Sequence, residues 1–296
     1  MTTVAQPQQL PIRYPFVLPA SPWRRAIKVG LGRLALAARP GTARRLLAAG
    51  DPNEFSLVDR LIMIGWVSRA QPEDWAALSA VHQRFWAGQG GALFSASADI
   101  AERFDDWFLR EHARPVELLH RELPGTGAPA LCEIGSGNGL ALAYLGDQLP
   151  MLTRLVGIDI NAEATRNNAE RWRTDTRLEF VHADAVEWIE SHAGPGWVYF
   201  SNAGVLEYFP QDKVTRLYQA TAGFGGDAWW VLTEPVYQGF DLGTEKQSRP
   251  HGSEFSFCHN HPHLLRQAGW DIVEQYETDV EGTRFLTVCA RRSDQP

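Results

Sequence analysis

The sequence predicts an α/β fold, a mainly parallel sheet preceded by a helical segment. Three observations predict it. From residue 130 onward, short apolar runs of strand length alternate with helical stretches. The first of those runs ends in a glycine-rich loop, Glu133-Ile134-Gly135-Ser136-Gly137-Asn138-Gly139. Before residue 130 the apolar residues recur at helical spacing.

Residues 1–22 hold five prolines and no clear period, and read as an extended arm. Trp23, Ile27, Leu31, Leu34 and Ala38 then form one helical stripe, with Arg24, Arg25 and Lys28 off it. Further helical stretches run from Ser56 to Ser68, Pro72 to Trp86 and Ile100 to Leu123, before a Pro-Gly-Thr-Gly-Ala-Pro linker at 124–129. The chain therefore divides into an arm (1–22), a helical lid or substrate segment (23–123) and a cofactor-binding domain (124–296).

In that domain Ala130–Ile134 reads as a buried strand and Gly139–Gln148 as a helix. Arg154–Ile160 is a second strand and Ala162–Arg173 a second helix. Leu178–His182, Trp197–Ser201 and Trp229–Thr233 are the third, fourth and fifth strands. Such alternation implies right-handed crossovers between parallel strands. Trp270–Tyr276 and Arg284–Ala290 close the chain as a hairpin, expected to add an antiparallel edge.

With 44% hydrophobic and 21% charged residues, the chain can bury a full core. No apolar run reaches the ~18 residues of a membrane span, so no integral span is expected. Cys132, Cys258 and Cys289 are far apart and form no Cys-x-x-Cys pair, which favours a reducing cytoplasm over a disulfide scaffold. The net charge of −7 argues against nucleic acid as a partner. The charge is uneven. Residues 1–50 carry Arg13, Arg24, Arg25, Lys28, Arg33, Arg39, Arg44 and Arg45 and no acidic residue. A lid or homodimer element, a membrane-surface helix and a targeting peptide are the readings open to this segment.

In an open parallel sheet, ligands bind beyond the carboxyl ends of the strands. A Gly-x-Gly start there suits a dinucleotide as well as other nucleosides. Two details favour a cationic cofactor over a dinucleotide. Leu140 stands where the third dinucleotide glycine belongs. Glu133 beside the loop would repel a pyrophosphate but suits ammonium and sulfonium charge. Asp159, ending the second strand, is placed to accept from ribose hydroxyls. Asp184, in Val181-His182-Ala183-Asp184-Ala185, either accepts from an adenine amino group while the Ala185 amide donates to the ring, or only caps the next helix.

The ordered set Glu-x-Gly-x-Gly-x-Gly, Gly157-Ile158-Asp159-Ile160-Asn161, Ala183-Asp184-Ala185 and Ser201-Asn202-Ala203-Gly204-Val205-Leu206-Glu207-Tyr208 resembles the class I S-adenosylmethionine (SAM) dependent methyltransferases, over roughly residues 100–290. The resemblance implies a seven-stranded Rossmann-like methyltransferase sheet with an antiparallel last strand. It implies SAM as cofactor and a small-molecule acceptor methylated on oxygen or nitrogen, such as a sugar or a specialised metabolite. By the resemblance, Glu133, Gly135, Gly137 and Asn138 surround the methionine part, and Asp159 and Ile160 hold ribose and adenine. Asp184 and Ala185 hold the adenine edge, and Ser201 and Asn202 lie near the sulfonium. The chain departs from the family at Tyr208, where many small-molecule members carry histidine after Val-Leu-Glu. It also lacks the Asn-Pro-Pro-Tyr signature of base and protein-amide methylation. Aminopropyl transfer, a cyclisation on the same fold and a non-catalytic SAM-binding subunit are the rival readings.

The acceptor side is less determined. A hydroxyl acceptor needs a general base. His259, Glu207 and Glu234 are the candidate catalytic residues, and Tyr208, His261 and Tyr237 the candidate substrate contacts. The stretch His259-Asn260-His261-Pro262-His263 also fits a helix start, with Pro262 in the first turn. A metal site from His251, Glu254, His259 and His261 is a third option, although no ligand motif supports it and no metal is expected. The run from Phe255 to Leu265 resembles sugar O-methyltransferases over a short stretch. Pro235 to Cys258 is long for a connection and is expected as a substrate loop. Phe104, Trp107 and Phe108 either close over the cofactor or pack a helix on the sheet.

Overall fold

The computed structural model describes residues 14–125, 130–280 and 282–293. The start of the expected arm and most of the 124–129 linker lie outside the described residues.

Helices come first: α1 (Pro22–Ala38), α2 (Pro40–Ala49), α3 (Leu57–Val67), α4 (Trp75–Ala87), α5 (Gln89–Ser95), α6 (Ala98–Arg103) and α7 (Leu109–Glu122). Proline in the first turn starts α1 and α2, where its missing N–H costs nothing. A reciprocal Ser56–Asp59 capping box starts α3. α1 meets α3 where Gly32 faces Gly65. A Cβ on Gly65 would lie 2.2 Å from the Gly32 carbonyl oxygen, so the approach requires glycine. Phe16, Leu46, Met63, Ile64, Leu78 and Val81 form a core of their own with Phe255 and Phe257 from far down the chain. Phe104–Phe108 is a π-helical turn, and its Trp107 and Phe108 belong with α7 to the core beneath the sheet.

The main sheet contains β1 (Ala130–Ile134), β2 (Arg154–Asp159), β3 (Leu178–His182), β4 (Val198–Asn202) and β5 (Ala228–Val236). A small hairpin follows, β6 (Arg249–His251) and β7 (Ser256–Cys258). The main sheet is completed by β8 (Asp271–Val280) and β9 (Thr283–Arg292). Between them run α8 (Leu140–Gln148), α9 (Ala162–Arg171), α10 (Ala185–His192), α11 (Gln211–Gly223) and α12 (His261–Gln267). The seven-strand order is β3-β2-β1-β4-β5-β9-β8, with β1 to β5 parallel and β9 antiparallel to both neighbours.

The closing hairpin does not simply add an antiparallel edge. The last strand, β9, lies inside the sheet between β5 and β8, and β8 is the edge. Burial explains the exchange. Val288, Cys289 and Ala290 of β9 are fully enclosed, whereas β8 alternates exposed and half-buried residues, as a half-solvated edge strand does. The pleat then sorts two cores. Cys132, Tyr199 and Trp230 face α10, α11 and α12, while Leu131, Phe200 and Trp229 face α7 and α8.

The segment after β5 is not an open loop. Its β6–β7 hairpin carries Phe255 and Phe257 into the core of the amino-terminal helices, tying them to the sheet domain. No helix among the described residues is long and apolar enough to cross a membrane.

Candidate active site

The loop after β1 turns through three positive-φ glycines, Gly135 (73°), Gly137 (50°) and Gly139 (74°). At Gly139 the conformation and the surroundings both demand glycine, since a Cβ would lie 2.7 Å from the Trp172 Nε1 and 2.9 Å from the Phe180 ring. At Gly137 the Cβ direction opens onto free space within 4 Å. Its amide donates to the Asp159 Oδ2 at 2.9 Å, and its carbonyl accepts from the Asn168 Nδ2 at 2.8 Å. The loop is thus held from β2 and α9. The Asn138 Oδ1 accepts the Leu140 amide at 3.1 Å and caps the start of α8.

Two carboxyl groups, Glu133 at the end of β1 and Asp159 at the end of β2, flank this loop. Glu133 is 3% exposed, and its Oε2 has no hydrogen-bond partner among the described residues. Burial raises its pKa well above the ordinary value, and the Asp159 charge adds to the rise. Asp159 is raised by burial as well, opposed by the amides of Asn161 and Gly137 that bind it. The buried Ser136 Oγ and Asn202 Oδ1 are also unpartnered. The Ile160 carbonyl meets the His182 Nε2 at 3.1 Å.

Asp184 plays a structural part. Its Oδ1 accepts the Val186 amide at 3.0 Å and caps α10, whose first residue is Ala185. Its Oδ2 is paired with the Lys213 Nζ. A cleft of about 310 Å³ lies beside this pair, between α4 and the starts of α10 and α11.

At the end of β4, Ser201 is fully buried and donates to the Glu234 Oε1 at 2.7 Å. The same oxygen accepts the Leu206 amide at 3.3 Å. Glu234 therefore holds the turn from Val205 to Glu207 from beneath, and burial pushes its pKa up to about 7. The other side of that turn is held by His259. Its Nε2 bonds the Leu206 carbonyl at 3.1 Å and its Nδ1 meets the Ser248 hydroxyl at 2.6 Å. Burial lowers the His259 pKa to about 4, so the ring is neutral, with Nε2 donating and Nδ1 accepting. Neither nitrogen is left to take a proton from an acceptor. Both ring nitrogens of His259 are thus taken up by the Leu206 carbonyl and the Ser248 hydroxyl.

His261 starts α12 and packs against His259, with ring centroids 5.2 Å apart. It is 1% exposed and bonds the Tyr218 hydroxyl of α11 at 2.8 Å. The Asn260 side chain caps α12, with Pro262 in its first turn, so this stretch is a helix start. Tyr237 is 38% exposed and stacks on His251 at 4.5 Å. Among the described residues no three His, Cys, Asp or Glu side chains gather as an ion's ligands, so the His251–Glu254–His259–His261 arrangement does not form. Phe108 packs edge-on to Phe200, and Trp107 lies against Phe285. Both pack on the sheet and neither covers the crevice.

Glu207 and Tyr208 belong to a side-chain cluster, and most of its other members are residues that no motif marks. The Tyr208 ring lies 5.1 Å from His82 and 5.1 Å from Trp86, both on α4, and Trp86 lies 6.0 Å from Tyr14. The Tyr208 hydroxyl donates to the Glu254 Oε2 at 3.3 Å. Tyr14, Glu207, Tyr208 and Glu254 all keep partial solvent contact. Even so, the surrounding protein raises the pKa of Glu207 well above the usual carboxylate range, opposed by the Ser256 hydroxyl and reinforced by Glu234 and Glu254. Glu254 is likewise raised by burial, and Tyr14 is pushed up to about 12. Among the described residues neither Glu207 nor Glu254 has an ion-pair partner. α4 is pinned to this cluster by the Ser79 hydroxyl, which donates to the Tyr208 carbonyl at 2.7 Å. The Asn161 Nδ2 also holds it, donating to the Trp86 and Gly88 carbonyls at 2.9 and 2.8 Å.

No protein-family model and no curated protein sequence matches the chain. Solved structures do. Magnesium protoporphyrin IX methyltransferase from Synechocystis PCC 6803 with bound SAM matches with a TM-score of 0.53 at 12% identity, over 73% of this chain and 97% of that one. The same enzyme with S-adenosylhomocysteine matches with a TM-score of 0.52 at 14% identity, over 73% and 99%. The likeness establishes the fold. The chain has the seven-stranded Rossmann-like architecture of the class I SAM-dependent methyltransferases.

Proposed function

We propose that this chain transfers a methyl group from SAM to an oxygen or nitrogen of a small molecule, a sugar or a specialised metabolite being the acceptor classes its motifs favour. The observation that carries the reading is the buried Glu133 carboxyl beside the glycine loop, one oxygen of which has no hydrogen-bond partner among the described residues, and whose charge the Asp159 carboxylate disfavours. Two acids so close disfavour each other's charge, and a bound cation relieves both. A ligand with an ammonium, a sulfonium and ribose hydroxyls fits that need, with Glu133 and Ser136 near the first two and Asp159 at the ribose. The magnesium protoporphyrin IX methyltransferase of the same fold binds SAM.

When bound, SAM supplies a methyl group on a good leaving group. The chain's own residues then have to position the acceptor and exclude water. Glu207 holds the acceptor's proton at its carboxylate, and Tyr208 and Glu254 orient the acceptor beside it. Residues 23–123 act as the lid, with α4 packed against Tyr208. Glu234 and His259 keep the Val205–Glu207 turn in place.

Calorimetry with S-adenosylhomocysteine and with NAD tests the cofactor, and binding of NAD alone would end the proposal. Turnover with an acceptor library then has to release S-adenosylhomocysteine. Release of methylthioadenosine would point to aminopropyl transfer instead. A product formed with SAM unconsumed would point to cyclisation.

A further inference from the structure

We infer that the outer face of α1 is a docking surface for an anionic lipid bilayer, separate from the reaction site. Trp23, Ile27, Leu31 and Leu34 fall on one face of the helix and are 62%, 54%, 52% and 70% exposed. The opposite face packs at Gly32 against α3. The apolar stripe is therefore not a core face turned outward by a missing neighbour within the described residues. Helix α1 has its packing partner and presents a second apolar face besides. Exposed apolar strips of this kind mark contact surfaces.

Charge selects the occupant. The surrounding segment carries only positive charge, and among the described residues none of its basic side chains is ion-paired. Arg24, Arg33, Arg39, Arg44 and Arg45 are exposed, while Lys28 donates to the neutral Val17 carbonyl. Arg24 lies over the Trp23 ring at 5.2 Å. A second copy of the chain would bring two such cationic surfaces together with no acid between them, at a Coulomb cost. A nucleic acid would match the charge but leave the four apolar side chains in water, and the chain as a whole is acidic. A bilayer with anionic headgroups satisfies both. Apolar side chains enter the acyl boundary, the tryptophan sits at headgroup level, and the arginines meet phosphate.

The full chain is sedimented with vesicles of phosphatidylglycerol and phosphatidylcholine in equal parts, and with phosphatidylcholine alone. It should co-sediment with the first only, and its partitioning should drop roughly tenfold or more as salt is raised, because exposed charges are screened. Arg39→Gln and Arg44→Gln, which leave the apolar stripe untouched, should each weaken binding about fivefold. The double variant Leu31→Gln/Leu34→Gln should abolish it while melting like the parent, since both residues are exposed. Equal binding to both vesicles overturns the inference, as does no binding to either. In the latter case, a dimer in analytical ultracentrifugation that Leu34→Gln dissociates identifies a second copy as the occupant.

Discussion

The Asp159 carboxylate accepts the Gly137 amide at 2.9 Å, joining the end of β2 to the loop after β1. Its second oxygen takes the Asn161 amide at 2.8 Å. One side chain thus shapes the glycine loop from the end of β2. Asp159→Ala should weaken S-adenosylhomocysteine binding roughly ten- to a hundredfold, the worth of charged hydrogen bonds. Unchanged affinity in calorimetry would remove Asp159 from the cofactor site.

Glu207→Gln should leave S-adenosylhomocysteine affinity intact and lower kcat by about 10²–10⁴, the usual contribution of a general base. In the parent protein the rate should rise with pH through the raised Glu207 pKa, because only the carboxylate can take a proton. A variant with full kcat would show that the base lies elsewhere or that none is needed.

Glu234 should make stability depend on pH near neutrality. Its folded-state pKa is about 7 against an ordinary 4.5, so the folded protein keeps a proton that the unfolded chain has lost. That contribution is complete below pH 4.5 and fades as pH rises through about 7. Across this window the parent should lose about 3 kcal/mol relative to Glu234→Gln in urea unfolding. A difference between the two that is flat with pH would mean another group titrates there.

Asn161→Asp separates two jobs of one residue. The side-chain oxygen caps α9 through the Glu163 and Ala164 amides, and aspartate can do the same. The nitrogen clasps the Trp86 and Gly88 carbonyls, which aspartate would repel. Amide hydrogen exchange across residues 86–95 should speed up while α9 stays protected. Equal protection in the two proteins would mean that α4 and α5 are held by their other contacts alone.

The strands β1, β2, β4 and β5 were legible because each buries both faces and so reads as an apolar run, whereas the edge strand β3 mixes half-buried and exposed residues. The glycine loop was legible because φ > 0 favours one residue type. What escaped was set by contacts between distant segments. Nothing near Asp184 announces Lys213, and nothing near His259 announces Ser248. The place of β9 depends on pairing with β5, more than fifty residues earlier, and not on its own pattern. The cluster around Tyr208 joins Tyr14, His82, Trp86 and Glu254, which only the tertiary fold brings together. His259 looked reactive by residue type, yet its two hydrogen bonds leave it no free nitrogen.

The helix α4 touches both halves of the crevice, through the Asn161 clasp at the β2 end and the Ser79 bond at Tyr208. Under the proposed function, cofactor and acceptor would lie on either side of α4, and any shift of that helix on binding would link the two sites thermodynamically. Free energy that one ligand spends in shifting α4 is free energy the other does not have to spend. The factor by which the cofactor alters acceptor affinity must then equal the factor by which the acceptor alters cofactor affinity. An acceptor can therefore be recognised without any turnover, by the change it causes in S-adenosylhomocysteine binding.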